Sequence, residues 1–300
     1  MGIGLGFFCS TSDNRLSTNH KFVLKNLSKE RVMQTFARNY EDLLKLLELS
    51  RSMDLTVFRL GSDFVPFASH QRFERAWMEE ILGFLKREGE AVRSFGVRLT
   101  MHPGQFVVLN SKEQRVIENS LRELKYHYDV LDALGLGKEA VVVVHVGGVF
   151  GDKRRAMKRL EEVIDENEWL KERLALENDE RHYSAEEVLE LSESLGLPMV
   201  FDYYHHVLNP SRLDLGRLIS TWQGRVPEVH LSSPQAGGRF GEHGDYVRPE
   251  DFEALASLFE GERVDVIIEA KKKEKAIDRL LRELREKNSP SLRKIVGLRG

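Results

Sequence analysis

The stretch Ala140–Val146, AVVVVHV, contains four consecutive valines and one polar residue, His145, next to its end. A strand that is apolar on both faces must be covered on both faces, as parallel strands packed between helices are. The other β-rich runs along the chain are GIGLGFF (2–8), TVFRL (56–60), VRLTMH (97–102), RLALEN (173–178), PMVFDYY (198–204), VPEVHLS (226–232) and VDVIIEA (264–270). Together these runs predict eight strands.

Segments with helical spacing separate these runs. Ser28 is placed to cap one helix, and Ser184 and Gly196 are placed to open and close another, SAEEVLELSESLG. Eight strand–helix units in 300 residues, without a linker, predict a single-domain α/β protein, a (β/α)8 TIM barrel over residues 1–300. A doubly wound open sheet is the alternative fold. It needs a glycine-rich turn before its first helix, which the segment GLGFFCSTSDN (4–14) does not resemble.

The composition is that of a globular protein, with 41% hydrophobic and 31% charged residues. Cys9 is the only cysteine, which excludes a disulfide within the chain and a cysteine-based zinc cage and favours a reducing compartment. The N-terminus lacks the basic start of a signal peptide, Gly6 stands where N-acylation requires Ser or Thr, and no apolar run approaches the length of a membrane span. We therefore expect a cytoplasmic protein with no membrane partner.

The net charge of −3 is unevenly distributed along the chain. Residues 271–300 contain eleven Lys or Arg and four Asp or Glu, a net charge of +7, which leaves −10 for residues 1–270. This segment predicts a basic C-terminal helix and tail at about residues 271–300. One interpretation is a solvated amphipathic helix, and the other is a tail that contacts DNA.

Metal-capable side chains fall at equivalent places in the predicted barrel. The predicted strands three to eight end, in order, at His102, His145, Glu177, Asp202, His230 and Glu269. The predicted loops after strands two, six and seven contain His70, His205 and His243. The carboxyl ends of barrel strands converge on one opening, where active sites lie. Because burying so many unpaired imidazoles and carboxylates would cost several kcal/mol each, the convergence predicts bound divalent cations.

The types of ligand indicate which ions are bound and how many. Imidazoles and carboxylates without thiolates suit Mn²⁺, Fe²⁺ or Zn²⁺ and disfavour a purely structural zinc site. Nine candidate ligands exceed the needs of one ion, so we expect a cluster of two or three ions bridged by Glu177 and Glu269. Such closely spaced ions hydrolyse phosphodiesters. Three divalent ions would also outweigh the net charge of −3, so the acidic composition does not exclude a phosphate substrate.

Seven motifs carry a resemblance to a known family, in an order and spacing that extend from about residue 4 to about residue 275. These motifs are FVPFASH (64–70), LTMHPGQFVVLN (99–110), VVHVGGVFG (143–151), LALENDER (174–181), DYYHHVLNP (202–210), VHLSS (229–233) and IIEAKKKE (267–274). In them the chain resembles the ultraviolet damage endonuclease family, and MHPGQ and LENDER are the most specific.

The resemblance implies a barrel akin to endonuclease IV and a site of three divalent ions, with Mn²⁺ first and Zn²⁺, Mg²⁺ or Co²⁺ as alternatives. It implies incision of DNA on the 5′ side of cyclobutane pyrimidine dimers, (6-4) photoproducts and some other lesions, such as abasic sites. The implied ligands are His70, His102, His145, Glu177, Asp202, His205, His230, His243 and Glu269. No small-molecule cofactor is implied, and we expect a monomer.

Gln105 and Phe106 follow the HPG turn that begins at His102. In the family, a glutamine–aromatic pair at this place enters the duplex and fills the space opposite a damaged dinucleotide that has flipped out, which implies this role for Gln105 and Phe106. An ordinary core aromatic below the loop is the alternative for Phe106. Phe7 lies where relatives often carry a tyrosine that lines the lesion pocket.

Glu228 departs from the family pattern. The family often has a lysine at this position, two residues before His230, which can be carboxylated on its nitrogen. Because side chains two apart in a strand face the same way, Glu228 is expected to point into the barrel with His230. One interpretation is a charged group near the metals that acts through water or a hydrogen bond, and the other is a buried salt bridge with a lysine such as Lys271.

The resulting hypothesis is a metal-dependent DNA repair endonuclease in which hydroxide attacks phosphorus in line and leaves a 3′-hydroxyl and a 5′-phosphate. The expected catalytic carboxylates are Glu177, Glu269 and Glu228. The expected contacts to the backbone of damaged double-stranded DNA are Arg59, Lys271 and Lys272. The alternatives are an abasic-site endonuclease of the endonuclease IV type, a sugar isomerase of the xylose isomerase type and a DNA-binding module without catalysis.

Overall fold

Eight parallel strands close into a barrel in the computed structural model, which describes residues 1–297. Each strand pairs with its neighbours in chain order, and the last strand pairs with the first. The strands are β1 (Gly2–Phe8), β2 (Val57–Leu60), β3 (Arg98–Met101), β4 (Val142–His145), β5 (Leu174–Glu177), β6 (Met199–Asp202), β7 (Glu228–Leu231) and β8 (Arg263–Ile268). The predicted (β/α)8 barrel is confirmed, and residues 298–300 of the predicted basic tail lie outside the described residues.

Helices surround the barrel. They are α1 (Lys29–Ser52), α2 (Arg75–Arg93), α3 (Gln114–Ala133), α4 (Lys153–Glu166), α5 (Ala185–Leu195), α6 (Tyr203–Leu208), α7 (Leu215–Thr221), α8 (Pro249–Leu258) and α9 (Lys273–Glu286). The predicted caps are confirmed: Ser28 accepts a hydrogen bond from the Arg31 N–H, Ser184 opens α5 in a capping box, and Gly196 ends α5 at a φ of 70°. Within residues 1–297, no helix combines the length and the apolarity that a membrane crossing requires.

The principal apolar core lies between the outside of the barrel and the helices. Val142, Val143 and Val144 of β4 are all buried, as expected for a strand covered on both faces. In β1 the residues alternate, so that Ile3, Leu5 and Phe7 are buried in this core. The barrel therefore has a strongly apolar outside, and its inside is left for polar groups.

The glycines of β1 make room for these polar groups inside the barrel. A Cβ on Gly4 would overlap the side chains of Thr56 and Asp265, and a Cβ on Gly6 would overlap the carbonyl oxygen of Val57. The space holds a buried ion pair in which Arg98 Nη1 lies 3.3 Å from Asp265 Oδ2. Hydrogen bonds and charge pairing are what make such burial tolerable.

The variant Gly6→Ala is expected to lose about 3 kcal/mol or more of unfolding free energy, because the added methyl group meets backbone that cannot move without breaking the pairing of β1 with β2. The matched control is Gly83→Ala in α2, where the nearest atom, Arg87 Nη1, is 3.7 Å from the added Cβ. The control is expected to gain about 0.5–1 kcal/mol from helix propensity. The unfolding free energy of both variants is measured by urea unfolding. A Gly6→Ala protein as stable as the wild type would contradict the prediction.

The basic C-terminal segment forms a packed amphipathic helix. The buried face of α9 includes Ala276, Ile277, Leu280, Leu281 and Leu284. Several cations of the segment are paired with carboxylates: Lys271 with Glu242, Arg279 with Glu283, Lys287 with Glu250 and Lys294 with Glu260. In the described part of the chain this segment thus packs one apolar face of α9 against the barrel, and a contact between this segment and DNA stays a prediction.

Candidate functional site

The topology gathers most of the predicted ligands at one opening of the barrel. Six of them are the last or second-to-last residue of a strand or directly follow it: His102 (β3), His145 (β4), Glu177 (β5), Asp202 (β6), His230 (β7) and Glu269 (β8). The other three lie in connections: His70 between β2 and α2, His205 in α6, and His243 between β7 and α8. Because all strands are parallel, their carboxyl ends meet here.

Glu177 is the centre of the cluster. Its Oε2 lies 3.0 Å from His102 Nε2 and 3.5 Å from His145 Nε2, and its Oε1 lies 2.6 Å from His230 Nδ1. Three groups of ligand atoms, each within 4.8 Å of one another, include it: His102, His145 and Glu177; Glu177, Asp202 and His205; Glu177, His230 and Glu269. One carboxylate is thus shared by three potential metal positions.

His243 and His70 differ in their distance from this cluster. His243 Nδ1 is 3.6 Å from Glu269 Oε2, and the His243 ring centre is 6.0 Å from that of His205. In residues 1–297 we find no hydrogen bond, ion pair or ring contact between His70 and the other eight residues. His70 instead lines a neighbouring cavity of about 470 Å³ together with Phe106. The structure therefore brings eight of the nine predicted ligands together, and the ligand role of His70 stays a prediction.

The buried carboxylates of the cluster lie beside positively charged groups, above all His230 and Arg59. Burial raises the pKa of Glu177, but the charges of His230 and His145, with the hydrogen bonds from His102 and His230, outweigh it and hold that pKa well below its usual range. Burial and the neighbouring Arg59 lower the pKa of His230, yet Glu177 and Glu269 raise it to about 10. Burial raises the pKa of Asp202, and the nearby carboxylates Glu269 and Glu177 raise it as well, against the opposing charges of His205 and His230. The buried carboxylates thus need positive charge close by.

Two buried atoms test whether metal fits the cluster. Asp202 Oδ2 and His145 Nδ1 are buried and have no hydrogen-bond partner within the described residues. Leaving such atoms unsatisfied costs free energy, and a coordinated cation or its water ligands would remove that cost. Imidazole and carboxylate ligands without thiolate match divalent ions such as Mn²⁺, Fe²⁺ and Zn²⁺. The cluster can therefore hold a metal ion.

Arg59 is buried among these ligands and does not face outward from the opening. Its Nη1 pairs with Glu269, its Nη2 lies 2.5 Å from His230 Nε2, and the same nitrogen is 3.8 Å from Glu228 Oε1. Burial lowers the pKa of Arg59, but the three nearby carboxylates Glu269, Glu228 and Glu177 raise it further than burial lowers it. Its charge is thus directed at the cluster, and a contact with the DNA backbone stays a prediction.

Glu228 lies one layer deeper in the barrel. It is fully buried, and its Oε1 accepts hydrogen bonds from His230 Nε2 at 3.0 Å and from Thr100 Oγ1 at 3.3 Å. The expected alternative of a salt bridge with Lys271 is wrong, because Lys271 lies at the surface and pairs with Glu242 at 2.7 Å. The cations near Glu228 are arginines instead, at 3.8 Å for Arg59 and 3.9 Å for Arg98.

Glu228→Gln is expected to weaken metal binding by about ten- to a hundredfold and to slow incision, because an amide no longer balances the imidazole of His230 from the side opposite Glu177. Glu228→Asp keeps the charge and is expected to retain part of the affinity. Metal titration of the metal-free variants, followed by nicking rates at saturating metal, makes the measurement. If both variants bind metal and nick DNA like the wild type, Glu228 contributes only to packing.

Gln105 and Phe106 are exposed at the edge of the opening. Phe106 is 63% exposed, so the alternative of a core aromatic below the loop is wrong. The Val107 N–H donates to the Gly104 carbonyl, which closes the turn that displays the two side chains. Gln105 borders a cavity of about 330 Å³ that also reaches Glu177 and Glu269. The pair is therefore free to contact a large substrate beside the cluster.

Phe7 does not lie in this opening. It is fully buried outside the barrel, where its ring packs edge-on against Phe58 with centroids 5.2 Å apart. The next residue, Phe8, lines the opening with Arg59 and His102. The expectation that Phe7 lines the opening is therefore wrong, and Phe8 lies there instead. The sequence of β1 could have predicted this, because glycines alternate with apolar residues and Phe7 therefore shares the outer face with Ile3 and Leu5.

Some lining residues were missed from the sequence. A cavity of about 380 Å³ extends from His102 and His145 to Glu180, Arg181 and His182. These three residues belong to the motif LENDER and its continuation, which the family resemblance included without giving them a role. Lys272, a predicted DNA contact, lies at the start of α9, where its N–H donates to the Asp245 carbonyl.

Comparisons with known proteins agree with this geometry. A family model described as UV-endonuclease UvdE matches residues 10–296. The UV DNA damage endonuclease of Bacillus velezensis is 35% identical over 269 residues, which cover 85% of this chain and 83% of that protein. The UV DNA damage endonuclease of Clostridium perfringens is 29% identical over 296 residues, which cover 95% of this chain and 71% of that protein.

Solved structures give the same result. The crystal structure of SacUVDE has a TM-score of 0.86 and 30% sequence identity, covering 95% of this chain and 99% of that chain. A xylose isomerase domain protein from Planctomyces limnophilus has a TM-score of 0.54 at 15% identity, which shows a shared fold only. The barrel, the clustered ligands and these matches lead to one conclusion: the chain belongs to the UV-endonuclease UvdE family.

Proposed function

We propose that this protein nicks double-stranded DNA on the 5′ side of cyclobutane pyrimidine dimers, (6-4) photoproducts and some other lesions such as abasic sites, with the damaged dinucleotide flipped out and three divalent ions, Mn²⁺ first, in the cluster. Its family makes it an endonuclease of UV-damaged DNA repair. The observation that carries the finer proposal is the exposed Gln105–Phe106 pair beside a cluster centred on Glu177.

The residues divide the work between holding ions and holding DNA. Those that would hold the ions are His102, His145, Glu177, Asp202, His205, His230, His243 and Glu269, with His70 as the predicted ninth. When bound, divalent ions lower the pKa of water and neutralise charge on the phosphate and on the departing 3′-oxygen. Glu177 is shared by the three groups, and Arg59 and Glu228 hold His230 and Glu269 in place.

Phe106 and Gln105 act on the DNA. Removing a damaged pair from the duplex leaves a gap in the stack, which an aromatic ring fills at a gain of about 1–3 kcal/mol per base. The amide of Gln105 would bond to the base edges that lose their partners. Lesioned pairs stack poorly and cost less to flip, so the enzyme would recognise how easily the duplex deforms.

A plasmid assay tests the proposal. Purified protein with Mn²⁺ is incubated with irradiated, unirradiated and abasic supercoiled plasmid, and the ends of the product are mapped. The expected result is preferential nicking of the irradiated plasmid, with 3′-hydroxyl and 5′-phosphate ends on the 5′ side of the lesion. Nicking of the abasic plasmid alone would favour an abasic-site endonuclease, and equal nicking of irradiated and unirradiated plasmid, or of neither, would refute the proposal.

A further inference from the structure

A groove outside the ligand cluster is lined mainly by cations. It has a volume of about 640 Å³, and its lining residues are Lys112, Arg155, Lys158, Arg159 and Glu162. Four of the five belong to α4, and Lys112 comes from the connection between β3 and α3. This groove, called the α4 groove below, includes none of the residues that the sequence indicated as DNA contacts.

The positive charge of the α4 groove is largely unneutralised. Four of its five lining residues are cations, and Glu162 is the one carboxylate among them. Within residues 1–297 the side chain of Arg155 has no carboxylate within 4.0 Å, and Lys158 has only Glu162, at 3.8 Å. Several cations of the C-terminal segment, by contrast, are paired.

Arg159 is held in the wall of the α4 groove by internal contacts, and one of its guanidinium nitrogens is unpaired in the described residues. Its Nε donates to the Asn110 carbonyl at 3.0 Å, and its guanidinium carbon lies 5.5 Å from the ring centre of Phe150. Its Nη2 is buried and has no hydrogen-bond partner in the described part of the chain. Lys112 Nζ donates to the Phe150 carbonyl at 2.8 Å. A bound anion would satisfy the free donor and the excess charge together.

The α4 groove adjoins the opening that holds the ligand cluster. Because α4 follows β4, its first turns lie at the carboxyl ends of the strands, and Arg155 and Lys158 lie in those turns. Phe150 is only five residues past His145, so at most about 18 Å of chain separates them. Because Arg159 contacts the Phe150 ring, one duplex can reach both the groove and the cluster.

We propose that the α4 groove binds the phosphate backbone of the duplex on one side of the lesion. The inference rests on the proposed function, because it takes the ligand cluster as the place where the strand is cut. Phosphate is the expected ligand since guanidinium and ammonium donors bind it with charge-assisted hydrogen bonds. Such contacts contribute affinity without sequence preference.

The test compares two double variants of the full chain. Arg155→Gln/Lys158→Gln removes two cations of the α4 groove and leaves Arg159, which has internal contacts, in place. The matched control, Arg282→Gln/Arg285→Gln, removes two exposed cations from the last two turns of α9, at the opposite end of the barrel. Affinity for undamaged and lesion-containing duplexes is measured from about 50 to 200 mM salt.

The slope of log K against log salt is expected to become shallower by about 1.8 in the groove variant, since each lost phosphate contact changes it by about 0.9. The wild type would then lose roughly tenfold more affinity than the groove variant across this salt range. The control is expected to keep the wild-type slope. An unchanged slope in the groove variant, or the same change in the control, would overturn the inference.

Shortened duplexes locate the contact. Two duplexes are used, each with a different flank of the lesion cut to about two base pairs. The difference in affinity between the groove variant and the wild type is expected to disappear with one of these duplexes and to persist with the other. A difference that persists for both would refute the assigned position. Lesion-specific nicking at saturating protein separates the two proposals: its absence in the wild type refutes the proposed function, whereas the salt slope on undamaged duplex still decides the groove.

Discussion

Glu177→Gln is expected to reduce nicking about a thousandfold or more while the fold survives. Glu177 belongs to each of the three groups that can hold a metal ion. Glutamine keeps the shape of the side chain but has no negative charge, so it cannot balance two cations. Bridging carboxylates and their ions contribute several kcal/mol to stabilising the transition state, and about 4 kcal/mol corresponds to this loss in rate. Glu269→Gln, which removes a carboxylate from one of the groups, is expected to act in the same direction.

The measurement is the single-turnover nicking rate, taken with the metal content of each purified protein. Glu242→Gln is the matched control, because it makes the same chemical change at the same opening, where Glu242 pairs with Lys271 away from the cluster. The control is expected to stay within about twofold of the wild type. Thermal unfolding shows that each variant is folded. A Glu177→Gln enzyme with activity within about tenfold of the wild type would show that Glu177 bridges no ions.

Gln105→Ala/Phe106→Ala is expected to remove lesion discrimination more than it harms chemistry. Neither side chain belongs to any of the groups that can hold metal, and Phe106 is 63% exposed, so the fold does not depend on its packing. Losing a stack and a pair of hydrogen bonds at an isolated gap costs about 1–3 kcal/mol per base, or roughly ten- to a hundredfold in affinity for damaged duplex. Affinity for undamaged duplex, which comes from phosphate contacts, is expected to change little.

Titrations with damaged and undamaged duplex at one salt concentration give the ratio of the two affinities for the wild type and the double variant. The metal content of both proteins is measured first, so that a lost ion is not mistaken for a lost contact. Val23→Ala serves as the control, since Val23 is also exposed, at 57%, and lies in the connection between β1 and α1. An unchanged ratio in the double variant would show that the lesion is recognised by other residues.

The amino-acid sequence determined the barrel and the centre of the site because both depend on periodic, local signals. The valine run in Ala140–Val146 and the recurrent strands required a parallel sheet covered on both sides. Seven of the eight observed strands lie within the predicted runs, and β8 begins one residue before its run, at Arg263. His145, Glu177 and Asp202 end their strands as predicted, and parallel strands must bring their ends together. Topology alone therefore forecasts that these side chains converge.

The tertiary structure decided what depends on the direction and the distance of single side chains. Phe7 and Phe8 are neighbours in sequence, but the pleat of β1 sends Phe7 to the core and Phe8 to the opening. Gln105 and Phe106 lie in a loop, and no periodicity in the sequence predicts that a loop side chain is exposed. His70 lines a separate cavity, although its motif is one of the seven that carry the family resemblance.

Charge shows the same division between sequence and structure. Counting residues found the excess of cations after residue 270, but the count does not tell which cations are neutralised by carboxylates from other parts of the chain. Folding places Glu242, Glu250 and Glu260 against the C-terminal segment and leaves the cations of the α4 groove largely unpaired. Sequence determined the number of charges, and the packing of distant segments decided where a net charge faces the solvent, because electrostatic attraction depends on distance in space.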